Sequence, residues 1–209
     1  MSGGTESVRL EPYEVALMRG GTRSAVTVAV LALHLRGLVD AGRQGRIRAT
    51  GGAGTVGAAA SPEDLGDDLP PLPKAVYAAL QRPAGIAELE ARPGVHGALC
   101  ELRTKLVGAR MLRSLPPRRT RAARHALRAL RAEHPLPADR KGLSPDDILI
   151  AVALHGEPAL SVVAARFALR AGLTARVEVA DKGFHHNAPR GGGTGGVSYS
   201  CGGGGGGSD

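Results

Sequence analysis

Aromatic residues are nearly missing from this chain. They make up 2% of its 209 residues, and tryptophan is absent. That scarcity excludes a core built around large rings and leaves Ala, Val and Leu to fill it, at about 25 cal/mol per Å² of apolar area buried. Ala and Leu are also the strongest helix formers, so a close-packed, mainly helical core is expected. Cysteine is almost as scarce. Two residues, Cys100 and Cys201, cannot make a disulfide framework. Cys100 lies in an apolar helical run and is expected to be buried, Cys201 in a glycine tract and exposed; both suit a reducing cytoplasm. Long apolar runs are missing as well. The longest, Ala25–Leu35, is too short to span a bilayer and contains His34, and Met1–Pro12 lacks the charged-then-apolar order of an export signal.

Lysine is the last scarcity. Lys74, Lys105, Lys141 and Lys182 are the only lysines among 27 basic residues, so arginine carries the net charge of +8. Such a charge suits nucleic acid or an acidic membrane surface. The bias to Arg and Ala, with 31 glycines, is also the signature of GC-rich codons, so the placement of the arginines says more than their number.

What is present is helical periodicity punctuated by Gly and Pro. Pro12 suits a first helical turn, and Tyr13, Ala16 and Leu17 recur at helical spacing until Gly20-Gly21 stops the helix. Thr22 can cap a second helix through Val26, Ala29, Val30, Leu33 and Leu38, ending near Gly37. Ile47 then alternates with Arg46 and Arg48 between Gly45 and Thr50, as a short strand or hairpin would. Two helices and a hairpin outline a winged-helix-like module over 1–50. Residues 51–73 read as a linker. Residues 74–114 read as a second helical module, with helices at Lys74–Leu80 and Gly97–Leu112, whose order makes it a degenerate repeat of the first. A C-terminal helical section follows over 115–180: a helix over Arg118–Glu133, one opened by Ser144-Pro145 with Asp146-Asp147 against its dipole, and one over Ala159–Ala171. Residues 181–209 collapse to Gly, Ser, His and Arg, with too little apolar surface to offset chain entropy, and are expected to be a disordered Gly-rich tail.

No motif carries recognisable chemistry. Gly52, Gly54 and Gly57 match G-x-G-x-x-G, but Pro62 and an acidic, proline-rich stretch follow where the dinucleotide fold needs a helix, so the match reads as linker. His185-His186 and Cys201 lack the ligand number and spacing of a zinc site. No G-x-S-x-G, C-x-x-C or H-E-x-x-H occurs. His34 and His155 read as partly buried helix residues. No catalytic residue, cofactor or metal ligand is therefore assigned. The richest basic stretch is Arg103–Arg131, without an acid between Glu101 and Glu133. Within it Arg121, Arg124, Arg128 and Arg131 recur every three or four residues and share a helix face.

The segment Leu10-Glu-Pro-Tyr-Glu-Val-Ala-Leu-Met-Arg-Gly-Gly-Thr-Arg-Ser-Ala-Val26, continuing to Ala-Leu-His-Leu-Arg-Gly-Leu-Val39, resembles an uncharacterised actinobacterial family. Its members open on a DPYE…GG-x-x-R-A-V helix pair, many end in a Gly- or Gly/Cys-rich tail, and many are described as membrane proteins. The resemblance extends more loosely over Leu72–Arg113 and Ile148–Leu160. This chain departs from the family in having no spanning segment and a tail with Cys201 alone. The resemblance brings no activity and no functional residue.

The reading is a non-enzymatic interaction or regulatory protein with a protein partner and a tail that tethers or solubilises. Gly20, Gly21 and Gly37 are structural, and Arg23 is expected to make a specific polar contact. One alternative is nucleic-acid binding through the wing residues Arg43, Arg46 and Arg48 and the helix residues Arg118, Arg121, Arg124, Arg128 and Arg131. Another is peripheral membrane association through the same basic helix, which has leucines but no aromatic anchors.

Overall fold

Helix α1, Pro12–Leu35, is the axis of the fold, and its sequence shows why it takes the middle. From Ala25 to Leu33 every residue except Thr27 is buried, so the apolar run that is too short for a membrane is instead a helix enclosed on nearly all sides. The computed structural model of the chain describes residues 10–43, 45–50, 69–114 and 119–174. Around α1 stand α2 (Pro71–Ala79), α3 (Ile86–Ala91), α4 (Pro93–Gly108), α5 (Arg121–Glu133) and α6 (Pro145–His155), followed by the short α7 (Glu157–Val163) and α8 (Ala165–Arg170). The chain is mainly helical, as the composition demanded.

Prolines and short capping side chains set the helix starts. Pro12, Pro71, Pro93 and Pro145 each open a helix, where an amide hydrogen is not needed. Ser144 and Asp147 form a reciprocal cap on α6: the Asp147 amide donates to Ser144 Oγ (3.1 Å), and the Ser144 amide to Asp147 Oδ2 (3.2 Å). Thr120 caps α5 by accepting from the Ala123 amide at 3.2 Å. At its C-terminus α1 closes with the Leu38 amide donating to the Leu33 carbonyl, the six-to-one bond of a Schellman turn.

Gly21 divides α1. At φ 75° and ψ −164° it lies where a side chain is strongly disfavoured, and it breaks the helix into two segments. The first helix thus stops at Gly20-Gly21 as expected, and a second segment continues directly from the kink. After α1 the strands β1 (Val39–Ala41) and β2 (Ile47–Ala49) pair antiparallel, with Asp40 opposite Arg48. Ile47 also bridges to Ala84. Two helical segments and a hairpin keep the expected winged-helix order.

Downstream boundaries shift. The expected linker over 51–73 lies outside the described residues up to 68, but Leu69 and Leu72 are buried and α2 already begins at Pro71. The helix expected at Gly97 starts four residues earlier, at Pro93, and that expected over Ala159–Ala171 is two short helices parted at Ala164. Helix α3 has no counterpart in the sequence reading. An antiparallel bridge between Leu112 and Arg119 follows α4.

The described residues belong to one unit, 1–176, and share one hydrophobic core to which α1, α2, α4 and α6 all contribute. The side chains expected to carry the first module, the second module and the C-terminal section therefore interlock. His34 stacks on Phe167 of α8 at 3.7 Å between ring centroids and 7° between planes, while its Nδ1 lies 3.1 Å from the Val39 carbonyl. His155 Nε2 lies 2.9 Å from the His134 carbonyl. Both histidines are half-buried structural residues, as expected. Among the described residues no helix is long and apolar enough to cross a membrane. The Gly-rich tail, the G-x-G-x-x-G glycines, His185-His186, Cys201 and Arg118 lie outside the described residues.

Candidate functional site

The kink in α1 puts Arg19 at the end of one helical segment and beside the end of another helix. Arg19 Nε donates to the Ala153 carbonyl at 2.7 Å, and its Nη2 to Ser24 Oγ at 3.0 Å. Arg131 donates to the next carbonyl, Leu154, from Nε at 3.4 Å and Nη2 at 3.3 Å. Ala153 and Leu154 sit in the last turn of α6, where carbonyls lack amide partners and the helix dipole is negative. Arg119 in turn donates from Nη2 to the Arg19 carbonyl, at the end of the first segment of α1. Three arginines thus serve helix C-termini. Their proximity has a price in repulsion: burial first, and then the charges of Arg131 and Arg119, push the Arg19 guanidinium below its ordinary value.

Beside this cluster, between the kink and α4, lies a groove of about 680 Å³. Leu17, Met18, Leu99 and Leu112 are its apolar floor, while Arg19, Arg103 and Arg119 supply positive charge. No Asp or Glu lines it. Arg103 is half-buried, with Nη2 donating to the Ser114 carbonyl at 3.4 Å. His96 and Cys100 face the same groove one helical turn apart on α4, with Nε2 and Sγ 3.6 Å from each other. The expectation that Cys100 is buried is therefore corrected: it is exposed. Val95, Leu99 and Leu106 take the inward face of α4, and position 100 falls on the outward one.

The arginines assigned to nucleic acid divide into three groups. Arg121, Arg124 and Arg128 are exposed on α5, opposite the buried Ala123 and Leu127, and among the described residues none of them is in an ion pair. Arg131 is held by Leu154, so the face has three available guanidiniums rather than four. In the hairpin, Arg46 pairs with Glu88 at 3.3 Å and donates to the Pro83 carbonyl at 2.9 Å, whereas Arg43 and Arg48 are exposed. The two sets are not brought together. The hairpin follows the end of α1 and α5 sits by its kink, and the intervening segment, Thr22–Leu35, is about 20 Å long at 1.5 Å per residue.

Arg23, expected to make a specific polar contact, is exposed, and its neighbour Arg19 makes that contact instead. A basic residue immediately before a helix-breaking glycine pair was a legible signal for this role. The groove had none, because its two walls are about 80 residues apart in sequence. Among the described residues no three of His, Cys, Asp and Glu come together as a metal site. No family model, curated protein or solved structure matches this chain.

Proposed function

We propose that this chain is a non-enzymatic interaction protein that meets an acidic surface of a partner protein on the exposed face of α5, and that it belongs with the actinobacterial family its opening segment resembles. The observation that carries the reading is the state of Arg121, Arg124 and Arg128. They are solvent-exposed on one face and form no ion pair among the described residues, while Arg19, Arg46, Arg119 and Arg131 are engaged within the fold. A cytoplasmic setting suits such a surface, since Cys100 is a free, exposed thiol.

Nucleic acid is the second reading, favoured by the same face. Arithmetic places it second. Three phosphate contacts give a slope of log affinity against log salt of about −2.7, a loss of roughly 40-fold between 50 and 200 mM salt, with no aromatic stacking to add to it. Peripheral membrane association is third, because the apolar side of α5 is already spent on the core through Ala123 and Leu127.

The test is a photo-crosslinking residue at position 125, on the same exposed face, in the full chain in cells. A single crosslinked protein, lost when Arg121, Arg124 and Arg128 are all changed to Glu, supports the proposal. Absence of any such protein, together with salt-dependent binding of labelled duplex DNA abolished by the same substitutions, would replace it with the second reading.

A further inference from the structure

We propose that the groove between the α1 kink and α4 is a binding site for a small amphipathic anion, a single apolar chain or ring body ending in one carboxylate or sulfonate group. This goes beyond the partner reading and uses none of the α5 residues on which that reading rests.

Three observations converge on this ligand class. The volume, about 680 Å³, falls within the range of small-molecule sites. The floor is apolar: Leu17, Met18 and Leu99 are buried in the core yet present atoms to the groove, and Leu112 completes the surface. An apolar body laid there removes its own surface and theirs from water. The charge is of one sign. Among the described residues, Arg19, Arg103 and Arg119 line the groove with no carboxylate in its lining, and no ion pair neutralises any of the three.

The hydrogen bonds these arginines make leave donors over. Each guanidinium has five N–H groups. Arg103 and Arg119 each use one nitrogen on a backbone carbonyl. Those carbonyls are dipoles, which satisfy donors but leave the full positive charges in place. A single anionic group in the groove would accept from the remaining donors and offset the repulsion that Arg119 exerts on Arg19. A neutral apolar molecule would leave that repulsion untouched. A compact inorganic anion would leave the apolar floor wet. The combination selects an amphiphile, and its single charge distinguishes the site from a phosphate-tracking surface.

Cys100 provides a reporter, because its exposed thiol faces the groove one turn from His96. The experiment uses the full chain with Cys201→Ser, so that Cys100 is the sole thiol. Its alkylation by iodoacetamide is timed with decanoate, with decanol or with inorganic phosphate, all below the micelle-forming range, and decanoate binding is measured in parallel by displacement of anilinonaphthalene sulfonate. Decanoate is expected to slow alkylation and to bind at least about tenfold more tightly than decanol, the difference expected of a charge-assisted contact. Arg103→Gln is expected to remove most of that preference, weakening decanoate binding far more than decanol binding. Should Arg119→Gln disturb the fold through its bond to Arg19, Arg103→Gln alone decides the matter, since among the described residues the Arg103 guanidinium bonds only to the Ser114 carbonyl. Equal affinity for decanoate and decanol would overturn the proposal, as would equal protection by phosphate alone or alkylation indifferent to decanoate.

Discussion

Replacing Gly156 by alanine tests the arginine-capped end of α6 at a single atom. Gly156 joins α6 to α7 at φ 73° and ψ −131°, a conformation nearly confined to glycine, and a side chain held there costs about 1–3 kcal/mol. The added Cβ would also stand 2.6 Å from Arg19 Nη1 and 2.8 Å from both Cζ and Nη2. A guanidinium is normally an easy group to push aside. This one is pinned by its bonds to Ala153 and Ser24, and moving it forfeits charged hydrogen bonds of about 1.5–3 kcal/mol, less here because the group is half-exposed. The two effects together put the loss at about 2–5 kcal/mol.

Urea denaturation followed by far-ultraviolet circular dichroism would measure it, with an unchanged slope showing that the unfolded state is not at issue. Arg19→Met in the same background closes a double-mutant cycle. With the guanidinium gone, Gly156→Ala retains its backbone strain but loses the collision, so it should cost about 1–2 kcal/mol less than in the parent. A coupling near zero would refute the contact between Arg19 and position 156. A total loss below about 1 kcal/mol would refute the strain argument as well.

Tyr13 is buried, and burial above all pushes its phenol up to about 12, with Arg36 opposing and Glu11 and Asp146 adding. The unfolded chain therefore loses this proton first. The stability is present below pH 10 and falls as pH rises toward 12, by about 2–3 kcal/mol in all, and Tyr13→Phe should flatten that part of an alkaline denaturation series. Glu14, 2% exposed, is paired at 2.7 Å with Lys105, whose ammonium is raised above its ordinary value by that bond; Lys105→Met should cost about 1–2 kcal/mol by thermal or urea unfolding, reduced by the exposure of the lysine, and a further Glu14→Gln should restore much of it. The Lys105 contribution is present below pH 10.5 and is lost as pH rises through the raised value, so it shares the alkaline window with Tyr13. Arg110 closes α4 at φ 58°, and Arg110→Gly should stabilise the fold by about 1 kcal/mol in the same urea assay; a loss would mean that its guanidinium has an unrecognised role.

Local chemistry was legible because it is written within a few residues. Pro12 and Gly21 bound the first segment of α1, Ser144 and Asp147 announce α6, and Ile47 between arginines marks the hairpin. What the sequence could not show was which helices meet. Helix α3 is six residues long, too short for periodicity to declare it, and it forms because Ile86 and Leu89 find the core. Position 100 could not be placed inside or outside, because α4 has only a narrow apolar stripe and Ala98, Leu102 and Val107 blur its edge. Of the candidate surface, the spacing of Arg121, Arg124 and Arg128 predicts the shared face that the helix shows, whereas Arg131 satisfies the same spacing but is tied to the Leu154 carbonyl.

That last case bears on how the positive charge of the chain should be read. A codon bias would account for the abundance of arginine, but not for where its hydrogen bonds go. Arg92 donates to the Ala79 carbonyl at the end of α2, Arg119 to Arg19 at the end of the first α1 segment, and Arg19 and Arg131 to the last turn of α6. A fold of short helices has many C-termini for its size, each with orphan carbonyls and a negative dipole end. Arginine, with five donors on a long stem, reaches such an end from a neighbouring helix and neutralises no side chain in doing so. The carbonyls are satisfied and the net charge remains. Positive charge then accumulates wherever helix ends converge, and the α1 kink and the end of α6 are such places. The cationic groove is on this view a by-product of capping, and a site only because an apolar floor happens to open beside it. Charge reversal at Arg121, Arg124 and Arg128 should therefore leave stability nearly unchanged, while reversal at Arg19 or Arg131 should lower it by about 1–3 kcal/mol each, whatever either surface binds.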